Sequence, residues 1–454
     1  MKSKLNFFDK FTKFCVALMQ KYLPDPFLFA SLLTFIVFIL ASLLTWQTPL
    51  AMAMHWGKGV WSLLAFSMQM VMVLVSGHTL ATAPFFKKIL DKLSLLPKSP
   101  KQAIMYVTFV SSIACILNWG FGLVIGAIYA KEIAKKQKNV DYRLLVASAY
   151  SGFLLWHGGL SGSIPLTLAS GNLSKATAGA LSDPISTAKT LFSVYNLGIL
   201  ITLLITLPLL NAAMHPKTVQ DTFIIDPHLL EEDISIVNKK DIITPADKIE
   251  NSCIVNLLIG VLGYLYIFGY FFKNGLNLNL NIVNIIFLIT AIVAHKTPKN
   301  LLNSFSNACK GASGIILQFP FYAGIMGMMV GVNSDGASFA GIISQSFVSH
   351  STSLTFPSFT FLSAGIVNFF VPSGGGQWAV QAPIMMPASI ELGVSSAKTG
   401  MAIAWGDAWT NMIQPFWALP ALAIAKLGAK DIMGYGVIIT IYSGIIIILG
   451  LTFL

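Results

Sequence analysis

The run FLFASLLTFIVFILASLLT, residues Phe27 to Thr45, decides the fold class, because it contains no charged side chain. A helix of this length crosses a hydrocarbon core of about 30 Å at a rise of about 1.5 Å per residue. A second uncharged run extends from Ile254 to Phe272. A membrane β-barrel would instead show alternating segments of about ten residues. The sequence therefore predicts an all-α membrane protein.

The composition supports lipid as the main solvent of this chain. Of its 454 residues, 55% are hydrophobic and 10% are charged, whereas soluble proteins carry roughly 25% charged residues. The four cysteines are scattered and form no Cys-x-x-Cys pair, which argues against a zinc site and against a disulfide framework. We expect all four to be small, buried packing residues; they are Cys15, Cys115, Cys253 and Cys309.

The order of apolar and polar segments predicts two transmembrane repeats joined by a linker. The predicted units are a cytoplasmic or interfacial N-terminal helix (1–26), a first repeat (27–212), a cytoplasmic linker (213–250) and a second repeat (251–454). Each repeat contains one re-entrant hairpin, 102–136 or 354–390, and one broken helix, 142–170 or 397–425. The other predicted spans are 27–46, 61–83, 188–212, 252–272, 280–295, 311–332 and 433–454, with a short amphipathic piece at 336–349. We interpret the linker as a solvated connector.

The distribution of positive charge predicts the orientation. With the N-terminus inside, 24 of the 29 Lys and Arg residues lie in internal segments and five in external ones, the asymmetry typical of bacterial inner-membrane proteins. The net charge of +11 therefore sets topology and does not indicate a nucleic-acid partner. The count requires the first hairpin to enter from the cytoplasm and the second from outside.

Matched residues indicate that the two repeats are related and inverted. Asn118 and Asn368 lie 250 residues apart at the predicted hairpin tips. In the broken helices, the pairs Tyr150 with Trp405 and Pro165 with Pro420 are each separated by 255 residues, and Gln69 and Gln318 precede the hairpins at a separation of 249. Inverted repeats with discontinuous helices are a common architecture of secondary transporters.

The breaks themselves predict binding chemistry. Glycine and proline inside a span free backbone groups that lipid cannot satisfy, so a ligand, water or protein must complete their hydrogen bonding. Free amides at a half-helix N-terminus attract an anion, and the carbonyls of a C-terminus attract a cation. A substrate carboxylate can thus be held without a buried arginine. The only arginine, Arg143, lies in a predicted cytoplasmic loop.

Three motifs resemble the bacterial short-chain fatty acid transporter family. They are VPSGGGQWAVQAPIM at Val371–Met385, NWGFG at Asn118–Gly122 and AWGDAWTN at Ala404–Asn411. The resemblance covers nearly the whole chain. It implies uptake of acids of acetate to butyrate size. It also implies membership of a wider ion-transporter superfamily with two re-entrant hairpins, two broken helices and a dimeric scaffold-and-elevator design.

The candidate site residues fall into two groups. For the substrate, we expect the hairpin tips and broken helices to supply Asn118, Gly120, Ser161, Asn368, Ser373, Gly374, Gly375, Gly376, Gln377, Thr410 and Asn411. For ion or proton coupling, we expect Asp407, His157 and Ser151. Trp156 or Trp378 would cover the alkyl tail. Asp407 lies inside a predicted span, where a carboxylate costs on the order of 3 kcal/mol at the bilayer centre and should face a cavity or a partner.

Each candidate also has a purely structural interpretation. Asp407 can cap the break at Gly406, and neutral His157 can bond a freed carbonyl. Asparagine is common in turns. For Ser373 to Gln377, successive glycines permit a left-handed backbone and a concave nest of amides that binds an anion, but they also suit a flexible hinge.

We therefore predict a cation-coupled carrier of short-chain monocarboxylates with elevator-type alternating access, driven by Na⁺ or H⁺. Alternatives are a carrier for another small carboxylate such as a C4-dicarboxylate, and a passive channel for small acids. An intramembrane enzyme is disfavoured, because the sequence has no Gly-x-Ser-x-Gly elbow and no His-Glu-x-x-His motif. We expect a homodimer in the lipid bilayer, no cofactor, and no metal beyond a transient Na⁺.

Overall fold

The protein is all-α in the residues that the computed structural model describes, which are 7–62, 64–170, 173–230, 244–275, 280–310 and 312–454. The first half contains α1 (Phe7–Tyr22), α2 (Pro26–Leu44), α3 (Pro49–Ser62), α4 (Leu64–Thr82), α5 (Pro84–Leu93), α6 (Pro100–Leu117), α7 (Trp119–Lys136), α8 (Tyr142–Ser151), α9 (Ser163–Ser170), α10 (Leu173–Ala176) and α11 (Val194–Ala213). The second contains α12 (Pro245–Glu250), α13 (Cys253–Asn274), α14 (Leu280–Ala294), α15 (Pro298–Lys310), α16 (Ser313–Val330), α17 (Phe339–Val348), α18 (Phe356–Phe370), α19 (Gly374–Glu391), α20 (Ser396–Thr410), α21 (Pro415–Ala425) and α22 (Ala429–Phe453).

Long apolar helices confirm the membrane-protein prediction. Within the described residues, six segments are long and apolar enough to cross a membrane: Pro26–Leu44, Pro49–Leu80, Pro100–Leu117, Val194–Ala213, Cys253–Asn274 and Ala429–Phe453. Their boundaries agree with most of the predicted spans. The predicted span 61–83 was too short, because the helical segment already begins at Pro49.

Close helix packing explains that missed segment. A Cβ placed on Gly59 of α3 would lie 2.8 Å from the Cα of Gly327 in α16. Only a residue without a side chain permits this approach, as at many helix interfaces in membranes. Residues 49–60 therefore pack against a helix more than 250 positions away in the sequence. Their own modest hydrophobicity does not indicate that they form part of a membrane-spanning helix.

Both predicted broken helices are interrupted. In the first, α8 ends at Ser151 and passes into a 3₁₀ turn at Gly152–Gly158, and α9 resumes at Ser163. In the second, α20 ends at Thr410, a 3₁₀ turn covers Asn411–Ile413, and α21 starts at Pro415. The predicted hairpins correspond to the pairs α6–α7 and α18–α19. The membrane side from which each hairpin enters stays a prediction.

The N-terminal helix and the first part of the linker pack against the bundle. Lys13 pairs with Asp221 at 2.8 Å, and Lys217 pairs with Asp9 at 2.6 Å. Leu230 is fully buried. Most residues of 217–229 are exposed, as expected of a solvated connector, although these contacts hold this part of the linker in place. Residues 231–243 lie outside the described residues.

The cysteines are free, but only two of them are buried. Cys15 and Cys115 lie in the interior, as expected, whereas Cys253 and Cys309 are exposed. The expectation of four buried packing residues was therefore wrong for two of them. Cys253 begins α13 and Cys309 lies near the end of α15.

Candidate functional site

The tip of the first hairpin is bonded to the first break. Asn118 ends α6 and caps α7, its Oδ1 accepting from the backbone N–H of Phe121 at 3.1 Å. The next amide, that of Trp119, donates to Ser161 Oγ at 3.0 Å. In return, the amide of Leu160 donates to the carbonyl of Ile116 at 2.7 Å. Asn118 and Ser161 thus lie together, as predicted.

The second hairpin meets the second break through Asn368. This residue lies in the last turn of α18, before the tip itself. Three oxygens surround its Nδ2: the Asp407 carbonyl at 2.8 Å, Thr410 Oγ1 at 2.9 Å and Asn411 Oδ1 at 2.8 Å. An amide nitrogen has only two hydrogens to donate. The Asn368 side chain therefore cannot donate to all three oxygens at once.

The glycine run at the tip of the second hairpin is helical, so the predicted left-handed nest was wrong. Gly374, Gly375 and Gly376 form the first turn of α19, and none of them has a positive φ. Ser373 is the N-cap, and its Oγ accepts weakly from the amide of Gly376 at 3.4 Å. The first amides of a helix have no intrahelical acceptor, so this turn offers an anion the same donors as a nest would.

The start of α19 touches the first break. A Cβ placed on Gly374 would overlap Ser163 Oγ and lie 2.8 Å from His157 Nε2. His157 Nε2 is itself 3.0 Å from Ser163 Oγ. Since Ser163 begins α9, the positive ends of two helices converge here around one buried histidine. Gly375, by contrast, faces open space, with no atom within 4 Å of its Cβ position.

His157 and Asp407 form the link between the two breaks. The Nδ1 atom of His157 lies 2.9 Å from the Ala404 carbonyl and 3.1 Å from Asp407 Oδ2. The contact with the Ala404 carbonyl has hydrogen-bond geometry, and apart from His157 no described donor lies near the carboxylate oxygens of Asp407. Both residues are almost completely buried, at 0% and 1% exposure of their side chains. A buried carboxylate with so few donors attracts a cation.

The family follows from comparison with known proteins. Residues 7–454 match the family model described as short chain fatty acid transporter. The chain belongs to this family. A protein of Escherichia coli K12 named as a short-chain fatty acid transporter is 44% identical over 98% of this chain and 99% of its own length. A protein of the same name from Haemophilus influenzae is 46% identical over 98% of this chain and 100% of its own.

Solved structures of other transporters are more distant from this short-chain fatty acid transporter family member. The Alcanivorax borkumensis YdaH transporter aligns with a TM-score of 0.46 and 14% identity, over 94% of this chain and 97% of that one. The Neisseria gonorrhoeae MtrF structure gives 0.44 and 16%, over 97% of both chains.

In this family member, Asn196 on α11 completes the first break. Its Nδ2 donates to the freed carbonyl of Gly158 at 3.0 Å, and its Oδ1 accepts from Trp405 Nε1 at 3.0 Å. The sequence analysis missed Asn196. The two asparagines in the apolar span 188–212, Asn196 and Asn211, were the available signal, since buried amides require partners.

Aromatic rings enclose one side of the His157 region. Trp156 stacks on the His157 ring at a centroid distance of 3.5 Å, and the Trp119 ring lies 5.9 Å from that of Trp156. Trp156 is buried between the rings of His157 and Phe153, and its role in covering an alkyl tail stays a prediction. Trp378 instead packs in a separate apolar cluster that includes Ile164 and Met386.

Two predicted site residues have other neighbours. Ser151 accepts a hydrogen bond from Asn211 at 2.9 Å, in a different polar cluster from Asp407. Gln377 donates to the Ala364 carbonyl at 2.7 Å and to Gln381 at 3.0 Å, inside the second hairpin. Gly120 is buried in the first turn of α7. Their predicted roles remain predictions.

A cavity of about 1040 Å³ lies away from these breaks, between α1, the start of α8 and residues 214–223. Asp141 at its wall accepts from the amides of Leu144 and Phe223 at 2.9 and 2.8 Å. Burial raises the pKa of Asp141 and lowers that of His215. His215 Nε2 accepts from the Asp141 amide at 3.2 Å, so the cavity wall holds a neutral histidine that anchors the linker.

Proposed function

We propose that this protein is a secondary active transporter of short-chain monocarboxylates, coupled to Na⁺ or H⁺ and working by elevator-type alternating access. We further propose that it acts as a homodimer in a bacterial inner membrane with its N-terminus in the cytoplasm. The observation that carries the proposal is the buried His157–Asp407 contact between two interrupted helices.

The substrate carboxylate binds where α9 and α19 begin. Two positive helix ends stabilise one negative charge there without an arginine. Among the first amides of α19, that of Gly376 already donates to Ser373 Oγ, so the amides of Gly374 and Gly375 would bind the carboxylate, and the open space beside Gly375 leaves room for it. The short alkyl chain then extends toward Trp156, whose apolar face favours acids of acetate to butyrate size.

The coupling cation binds at Asp407 and at the oxygens around Asn368. For Na⁺, the Asp407 carbonyl, Thr410 Oγ1 and Asn411 Oδ1 already converge on one point, and rotation of the Asn368 amide would add its own oxygen. Hard cations prefer such oxygen ligands. For H⁺, the proton would reside on the buried carboxylate of Asp407.

Coupling follows from charge. An empty site leaves the Asp407 carboxylate uncompensated, and moving it through the bilayer is costly. Binding of the cation neutralises Asp407, and binding of the substrate neutralises the two helix ends. Only the loaded carrier therefore moves at low cost, so the cation gradient drives accumulation of the acid.

The test is uptake of labelled butyrate by proteoliposomes under an imposed Na⁺ gradient or an imposed pH gradient, in competition with C2 to C6 acids. We expect uphill accumulation with one of the two gradients, which a passive channel cannot produce. The variant Asp407→Asn should lose the accumulation and keep the fold. Asp183→Asn is the matched control, because Asp183 is exposed and bonds only its neighbour Ser182 among the described residues. Undiminished accumulation by Asp407→Asn would disprove the coupling role.

A further inference from the structure

A second group of buried polar side chains lies between α6, α8 and α11. We name it the Asn211 cluster; it comprises Thr108, Ser112, Ser148, Ser151 and Asn211. The first two lie four residues apart on α6 and the serines of α8 lie three apart, so each pair occupies one helix face. All five members are buried, with 0% exposure. The cluster as a unit belongs to neither the proposed substrate site nor the proposed cation site at Asp407.

Hydrogen bonds hold the cluster together. Asn211 Nδ2 donates to Thr108 Oγ1 at 3.0 Å and to Ser151 Oγ at 2.9 Å. Ser151 Oγ in turn donates to the carbonyl of Ser148 at 2.7 Å. Ser112 lies alongside, because a Cβ placed on Gly152 would be 2.6 Å from its backbone nitrogen.

Three oxygens of the cluster have no hydrogen-bond partner among the described residues. They are Asn211 Oδ1, Ser112 Oγ and Ser148 Oγ. Unpaired polar atoms inside a membrane protein are costly, and three of them on the neighbouring helices α6, α8 and α11 indicate that a bound species completes their bonding.

The electrostatics favour a cation. Ser148 and Ser151 lie in the last turn of α8, and Asn211 lies in the last turn of α11. α8 continues into the 3₁₀ helix Gly152–Gly158, but the negative end of α11 lies at the cluster, the reverse of the two positive ends at α9 and α19. All five side chains are uncharged, so a monovalent ion would fit better than a divalent one, which usually takes carboxylate ligands.

We propose that the Asn211 cluster is a Na⁺ site separate from Asp407. Its ligands are the three unpaired oxygens together with Ser151 Oγ. Since Asn211 lies two residues before the end of α11, on the side predicted to be cytoplasmic, the ion would lie between the central site and the cytoplasm. The role in transport rests on the proposed function, but the binding itself does not.

The test uses thermal unfolding of the purified full-length protein in detergent, titrated with NaCl against choline chloride at constant ionic strength. The background is Asp407→Asn, which disables the proposed coupling site. We expect Na⁺ still to raise the unfolding temperature. Addition of Ser112→Ala and Ser148→Ala should raise the half-saturating Na⁺ concentration roughly tenfold, the lower range for altered metal sites. Without Na⁺, loss of two unpaired hydroxyls should not lower the stability.

Ser443→Ala is the control, because this buried serine donates to the Ile439 carbonyl at 2.7 Å on α22. It should leave the half-saturating concentration unchanged. If the serine double variant fails to fold, Asn211→Asp replaces it, and its added negative charge should lower the half-saturating Na⁺ concentration. A water-filled cluster would give no response to Na⁺ beyond that to choline, or equal midpoints in all variants, and either result overturns the proposal. Loss of uptake without loss of Na⁺ binding would instead count against the transport function alone.

Discussion

A methyl group at Gly374 should disrupt the junction between the two repeats. The start of α19 packs so closely on the first break that a Cβ at this position would overlap Ser163 Oγ and lie 2.8 Å from the His157 ring. Neither neighbour can move easily, because His157 is fixed by the Ala404 carbonyl at 2.9 Å and Ser163 begins α9. We therefore expect Gly374→Ala to be destabilising.

The magnitude follows from the cost of overpacking, about 1–3 kcal/mol for an added methyl group in a packed interior. One kcal/mol lowers the melting temperature of a unit of 150–250 residues by about 2–4 °C, and each repeat has about that size. Gly374→Ala should therefore unfold roughly 2–12 °C below the wild-type protein. The measurement is thermal unfolding of both purified proteins in the same detergent.

Gly375→Ala provides the matched control in the same helical turn. No atom lies within 4 Å of its Cβ position, and alanine is favoured over glycine in a helix by about 0.5–1 kcal/mol. Its melting temperature should be equal to or above that of the wild type. If Gly374→Ala were as stable as Gly375→Ala, the junction of α19 with His157 and Ser163 would not exist as described.

Three further predictions concern the first break and the topology. Asn196→Leu should cost about 1–3 kcal/mol, because it leaves the Gly158 carbonyl and the Trp405 indole unpaired; a melting temperature equal to that of the wild type would contradict this. Ser161→Ala should cost about 0.5–1.5 kcal/mol by removing the acceptor of the Trp119 amide, measurable as a smaller shift in the same assay. The third prediction tests the topology in a background with Cys253→Ser and Cys309→Ser, which removes the exposed cysteines. In this background, Glu391→Cys should react with a membrane-impermeant thiol reagent added from outside. Labelling from the cytoplasmic side only would refute the inverted arrangement of the hairpins.

Much of the fold could be predicted because a bilayer imposes a length and a polarity on each helix. Phe27 to Thr45 predicted α2 within two residues, since only a helix satisfies every backbone group in lipid. The interruptions after Ser151 and Thr410 were also predictable, because glycine and proline interrupt a span wherever they occur. The helix α3 was missed, since its partner α16 is distant in sequence.

The site was predicted less completely. Residue types identified Asp407, His157 and Asn118, because charged and amide groups inside a span require partners. They did not identify Asn196 or Asn211, whose importance depends on which carbonyl or hydroxyl faces them. They also suggested a left-handed nest at Gly374 to Gly376, where the N-cap Ser373 starts a regular helix instead.

The sequence by itself determined that this protein lies in lipid, where most of its helices run and where two of them are interrupted. These features depend on the local hydrophobicity and backbone freedom of consecutive residues. Only the tertiary structure decided which ends of the interrupted helices meet. His157 joins Asp407 across 250 positions, and Gly374 joins Ser163 across 211. Such contacts arise from close packing between distant segments, and no local pattern encodes them.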